Sequence, residues 1–153
     1  MTEAGDLYLL EGRPRADRRI VVLDREGREL DAGFQPGPWG WVSVSPAGRR
    51  VAGELWDGRD RSIWAGDLAS GRVDRLTFEG DRFGPQWNPA GDRIAFTYFP
   101  EASVGDGVLT SMWWMAADGS DEIEPIGSRL DAYPWAFDPD GRSVFYIYLG
   151  SGT

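Results

Sequence analysis

The sequence predicts an all-β protein built from repeated four-stranded antiparallel sheets, and three observations predict it. One tight turn is written three times, in 44-VSPAGRRVAG-53, 87-WNPAGDRIAF-96 and 137-FDPDGRSVFY-146. Between these copies a second unit recurs, an apolar strand, an Asp and Gly turn and a polar strand, at 20-IVVLDREGRELDAGF-34, 63-IWAGDLASGRVDRLT-77 and 112-MWWMAADGSDEIEPI-126. Finally, 21 Gly and 10 Pro stand singly between short apolar runs and leave no room for a long amphipathic helix.

In chain order, the apolar residues 7–10 read as a strand, and 20–34 as two more joined at a turn. Trp41 to Val44 is a short, aromatic-rich inner strand. Ser45 then offers a side-chain acceptor to backbone N–H groups two residues on, Pro46 presets φ at the first corner, and Gly48 supplies a positive φ. Val51, Gly53 and Leu55 follow at period two, the spacing of a strand buried on one side. Residues 63–77 add a further strand pair. The same devices return with Phe83 to Trp87, Asn88, Pro89, Gly91 and the row Ile94, Phe96 and Tyr98, followed by 112–126. They return again with Tyr133 to Phe137, Asp138, Pro139, Gly141 and the row Val144, Tyr146 and Tyr148.

Pro46 and Pro89 lie 43 residues apart, and Pro89 and Pro139 lie 50 apart, a period in the range of propeller blades. The units resemble the WD40-like (PD40) repeats of TolB-like β-propellers. Those blades read roughly as aromatic-Ser-Pro-Asp-Gly-Lys/Arg-x-Ile-Ala-Phe, then Ile-Tyr-x-x-Asp-x-x-x-Gly and Arg-Leu-Thr. Here 86-QWNPAGDRIAF-96, 63-IWAGDLASG-71 and 75-RLT-77 carry the match, while Val44, Ala47 and Ala90 depart from it. The segment 20-IVVLDREGREL-30 is similar to propeller segments beside bacterial Ser/Thr kinase domains and in prolyl-oligopeptidase-type peptidases.

The resemblance covers residues 6–149 and implies one propeller domain over 1–153. With strands lettered a to d from the axis outward, the blades are b-c-d over 7–34, a-b-c-d over 39–78 and 83–126, and a-b over 133–149. Thirteen strands make three blades and one strand over, whereas a ring closes with about four to eight blades. The count therefore predicts either a homodimer closing a six-bladed ring or a fragment of a longer propeller.

Composition bounds the chemistry. The chain of 153 residues, 41% hydrophobic with eight Trp, can bury a core. Without His or Cys it has no disulfide, no thiolate nucleophile, no Ser-His-Asp triad and no histidine- or sulfur-ligated metal. No cofactor is expected, and no metal: 138-DPDG-141 and 118-DGSD-121 look like calcium-loop fragments but lack the further oxygen ligands of such a loop. Sixteen basic residues, all Arg, against 25 acidic ones give a net charge of −9, a poor match to nucleic-acid phosphates. The first 19 residues hold only a four-residue apolar run, so neither a signal peptide nor a membrane span is expected, and the predicted location is cytoplasmic.

By the resemblance, the b–c loops (11–18, 56–62, 100–111) and the d–a loops (33–40, 78–83, 127–133) share the face that binds partners. The candidate partner-binding residues there are Trp39, Trp56, Asp57, Arg59, Asp60, Arg61, Glu101 and Asp106. Trp39, in 36-PGPWG-40, and Trp56 are the expected exposed aromatics, and the other six Trp are expected to fill the wedges between sheets. Pro46, Gly48, Pro89, Gly91, Pro139 and Gly141 are expected to be structural. The predicted function is a non-catalytic scaffold that binds a protein or peptide through this face. The alternatives are the propeller part of a larger peptidase or Ser/Thr kinase, gating or regulating a catalytic domain, and a carbohydrate-binding propeller.

Overall fold

A computed structural model describes residues 7–11, 17–100, 110–120 and 123–148. All the regular structure among them is strand. The first sheet holds β1 (Leu7–Glu11), β2 (Arg19–Leu23) and β3 (Glu29–Asp31). The second holds β4 (Trp39–Val44), β5 (Arg50–Trp56), β6 (Arg61–Asp67) and β7 (Val73–Arg75), and the third β8 (Asp81–Trp87), β9 (Arg93–Phe99), β10 (Ser111–Ala116) and β11 (Glu124–Leu130). The last contains β12 (Ala132–Phe137) and β13 (Val144–Tyr148). Every pairing is antiparallel between sequence neighbours. The innermost strands β4, β8 and β12 lie against one another in succession, so the sheets fan out from a common axis.

The three repeated turns form as their residues require. Gly48, Gly91 and Gly141 have φ of 68°, 74° and 73°, and each donates its N–H to the carbonyl three residues back, at 2.8, 3.0 and 2.8 Å. The side-chain caps reach further than two residues in two of the three. Ser45 Oγ accepts from the Arg50 N–H at 3.0 Å, and Asn88 Oδ1 from Asp92 and Arg93 at 3.2 and 3.0 Å. Asp138 Oδ1 bonds two residues on, to Asp140, at 3.3 Å. The long reach ties the Ser45 and Asn88 turns to Arg50 and Arg93, the first residues of the following strands. Replacing Gly91 with Val forces a β-branched residue to positive φ, which should cost about 1 kcal/mol or more in chemical denaturation. A variant that unfolds with the parent would remove the turn from the argument.

The strands after these turns differ from the one-sided burial that period two suggests. On β5, residues 51 to 54 are all buried, and on β9 residues 94 to 97 are. Alternate side chains serve two neighbours, because each middle sheet is sandwiched. Val51 joins Ile20, Val22, Ala32, Phe34 and Trp39 between the first and second sheets. Ala52 joins Ile63, Trp87, Ile94, Phe96 and Met115 between the second and third. On β13 the pattern fails in the other direction. Phe145, Tyr146, Ile147 and Tyr148 are 62%, 42%, 43% and 51% exposed, since no described sheet follows this one.

Strand ends also move. β11 runs to Leu130 and β12 begins at Ala132, so the expected loop over 127–133 shrinks to Asp131, the non-glycine residue with positive φ (55°) among those described.

Candidate partner-binding cleft

Between the second and third sheets, on the side bearing the β5–β6 loop, lies a cleft of about 330 Å³. The end of β5 supplies Glu54 and Trp56, the loop Arg59, the start of β6 Arg61, and the start of β8 Asp81. Asp81 is the anchor. One of its oxygens accepts from both the Arg61 backbone N–H and Nε, each at 2.8 Å, and the other meets the guanidinium Nη2. The pair is partly buried, and the Arg61 guanidinium also lies 3.7 Å from the centroid of the Phe83 ring. A forked, stacked contact of this kind fixes the guanidinium plane, which a lysine could not reproduce.

Glu54 forms the floor. It is 6% exposed, on the face of β5 turned toward the third sheet, where its Oε2 accepts the Gly84 N–H at 2.8 Å. Its side chain runs over Gly40, where a Cβ would come within 2.6 Å of the Glu54 Cγ. Burial pushes the carboxyl above its ordinary value, against the opposing pull of the Gly84 N–H and the Arg61 charge. The folded chain thus holds this proton more tightly than the unfolded chain, and the Glu54 contribution to stability falls as pH rises through and above the ordinary glutamate value. Glu54→Gln keeps an acceptor for Gly84 and should abolish that fall. The check is denaturant unfolding of parent and variant from about pH 4 to about pH 7; parallel curves would contradict it.

The expected site residues divide. Trp39, Trp56, Arg59 and Arg61 line this one cleft. Asp57 stands at the exposed loop tip and caps its turn, accepting from the Arg59 and Asp60 N–H groups at 3.0 and 2.9 Å, and those bonds hold its carboxyl below the usual range. Asp60 pairs with Arg59 at 3.5 Å, a surface contact of small energetic weight. Glu101 and Asp106 lie outside the described residues. Glu54 and Asp81 were not among the expected residues. A carboxylate inside a strand that is otherwise apolar, as in 51-VAGEL-55, was the available signal for Glu54.

The tryptophans need correcting. Trp39 is 4% exposed rather than a surface aromatic, with its ring edge-on to Phe34 and Trp64 and its Nε1 donating to the Gln35 carbonyl at 3.0 Å. Trp41 and Trp135, expected in the core, are 55% and 53% exposed. A bulge causes the exchange. The pairing of β4 with β5 shifts register between Trp39 and Val42, so Trp39 shares a core with Val42 and Val44 and Trp41 is turned out of it. β8 and β12 carry matching shifts between Phe83 and Gln86 and between Pro134 and Ala136.

This arrangement of fanned antiparallel sheets has solved counterparts. TolB from Acinetobacter baumannii superposes with a TM-score of 0.78 at 18% identity, over 99% of this chain and 37% of that one. The chain carries a TolB-like β-propeller fold. A TolB-type structure from Agrobacterium tumefaciens gives a TM-score of 0.73 at 20% identity, over 95% of this chain and 55% of its own. Peptidase propellers share the fold: the β-propeller domain of the Trilobed protease from Pyrococcus furiosus, which has an open velcro topology, matches with a TM-score of 0.53 at 15% identity, over 81% of this chain and 41% of that one. No family model and no curated protein sequence matches.

The chain spans between about a third and somewhat over half of the length of these neighbours. Their likeness also corrects the cytoplasmic expectation. TolB proteins are periplasmic, whereas the expectation rested on the apolar run of the first 19 residues being only four residues long. Among the described residues no helix is long and apolar enough to cross a membrane.

Proposed function

We propose that this propeller segment is a non-catalytic scaffold that recognises a protein or peptide through the face bearing the β5–β6 loop and the segment before β8. The observation that carries the reading is the Arg61–Asp81 pair beside the buried Glu54, with Trp56 at its side. Both charge signs are held in fixed orientation next to an aromatic ring, the kind of rigid, mixed-charge site that orients a peptide chain. Peptides selected from a random display library against the 153-residue chain should bind at least about tenfold more weakly to Asp81→Asn and Trp56→Ala. Arg142→Ala, at the remote turn before β13, should bind them as the parent does. Selected peptides that ignore both cleft replacements would remove the cleft from the function.

The exposed row Phe145 to Tyr148 supports a second element, completion of the ring by strands from another source. A second copy of the chain would close a six-bladed ring with two-fold symmetry; the alternative is that the missing blades belong to a longer parent, such as a peptidase or kinase. Light scattering separates them. A discrete dimer that Phe145→Asp dissociates supports closure by a second copy, and a monodisperse monomer refutes it.

A further inference from the structure

We propose that the hub between the innermost strands binds a proline-rich peptide segment. The inference rests on the peptide-binding reading but places the contact at a second site. Strands β4, β8, β9, β12 and β13 line a half-open cavity of about 280 Å³. Trp41 and Trp135 stand at its mouth with ring centroids 5.8 Å apart and planes at 72°. Phe83 and Tyr133 pack at 5.6 Å along its wall. Both mouth rings are more than half exposed. Among the described residues no charged side chain lines the cavity, in a chain of net charge −9 and beside a cleft dense in charge.

The second observation is a polar group that the fold leaves unsatisfied. Thr97 is 0% exposed, lines this cavity, and its Oγ1 has no hydrogen-bond partner. Alternation along β9 explains its direction: Ile94 and Phe96 face the core shared with the second sheet, so Thr97 faces the opposite way, toward β12. Gln86 contributes an amide to the same space. Buried hydroxyls are ordinarily paired, and this one lies enclosed at the base of the aromatic box without an acceptor.

The occupant follows from the chemistry. An anion would meet only the Arg61 guanidinium already committed to Asp81, and a cation would be repelled by that same group, 3.7 Å from the Phe83 ring. A sugar needs partners for many hydroxyls, and the cavity offers few. A prolyl segment presents flat apolar rings to tryptophan and tyrosine, has no N–H to leave unsatisfied, and offers carbonyls that can accept from the Thr97 hydroxyl, the Gln86 amide and the indole N–H groups. An uncharged lining is thus matched to an uncharged, acceptor-only chain.

The test is titration of the 153-residue chain with an acetylated, amidated oligoproline, read by tryptophan fluorescence and repeated by calorimetry. A saturable change is expected. Trp41→Ala and Trp135→Ala should each weaken it at least about tenfold. Thr97→Val, which keeps the side-chain shape, should weaken it about fivefold, and circular dichroism confirms that each variant is folded. Trp56→Ala, in the charged cleft and not among the residues lining the hub cavity, should leave oligoproline affinity unchanged, which separates the two sites. The proposal is overturned by the lack of a saturable response, by binding that survives both Trp replacements, or by a dimer in which Trp41 and Trp135 are shielded from quencher. Preference for a neutral oligosaccharide over oligoproline would likewise overturn it. Such failure leaves the Asp81-dependent peptides as a separate measurement.

Discussion

Phe96→Ala is expected to destabilise the chain by about 3–5 kcal/mol. The ring is 0% exposed and sits in the cluster of Ala52, Ile63, Ile94 and Met115, which belong to both the second and third sheets. Its removal takes away both the transfer of a large side chain from water and the contacts that hold the two sheets together. Since a domain's net stability is on the order of 5–15 kcal/mol, one such loss is a large share of it. The effect reaches the cleft directly, because Glu54 and Arg61 come from one of these sheets and Asp81 and Gly84 from the other. Denaturant unfolding followed by tryptophan fluorescence gives the size. A change below about 1 kcal/mol would mean that the ring does not join the sheets as described.

Gly66→Val is expected to cost about 1–3 kcal/mol through overpacking, at the upper end of that range. A Cβ at this position would lie 2.3 Å from the Phe34 Cζ, with the flanking ring carbons at 2.8 and 3.0 Å. Phe34 is itself 5% exposed and wedged edge-on against Trp39 at 5.6 Å, so its ring has nowhere to go. The pairing can be tested by compensation. Gly66→Ala should destabilise the parent, and adding Phe34→Leu, which opens the space above the glycine, should cost less than the two single changes together. Strict additivity would show that the two positions do not share the contact.

Much of the fold was legible because the signals are local. Pro46, Pro89 and Pro139 with the glycines two residues on dictate their turns from within four or five residues, and the alternation that follows them dictates strands. Thirteen strands and their antiparallel succession follow from such segments in order. The absence of His and Cys likewise bounds the chemistry without reference to any contact.

The site was less legible, because it depends on how sheets meet. Arg61 was readable as a loop charge, but its partner Asp81 is 20 residues away on the next sheet, and no spacing rule joins the end of one blade to the start of another. Trp39 and Trp41 are two residues apart and looked like one class of strand aromatic. A single extra residue in β4 sends one into the core at 4% exposure and the other to the hub at 55%. The sequence by itself determined the turns, the strands and the excluded chemistries, since each is set by backbone preference or composition. Only the tertiary structure decided which side chains face water, because burial in a fan of sheets is fixed by bulges and by the presence or absence of a neighbouring blade.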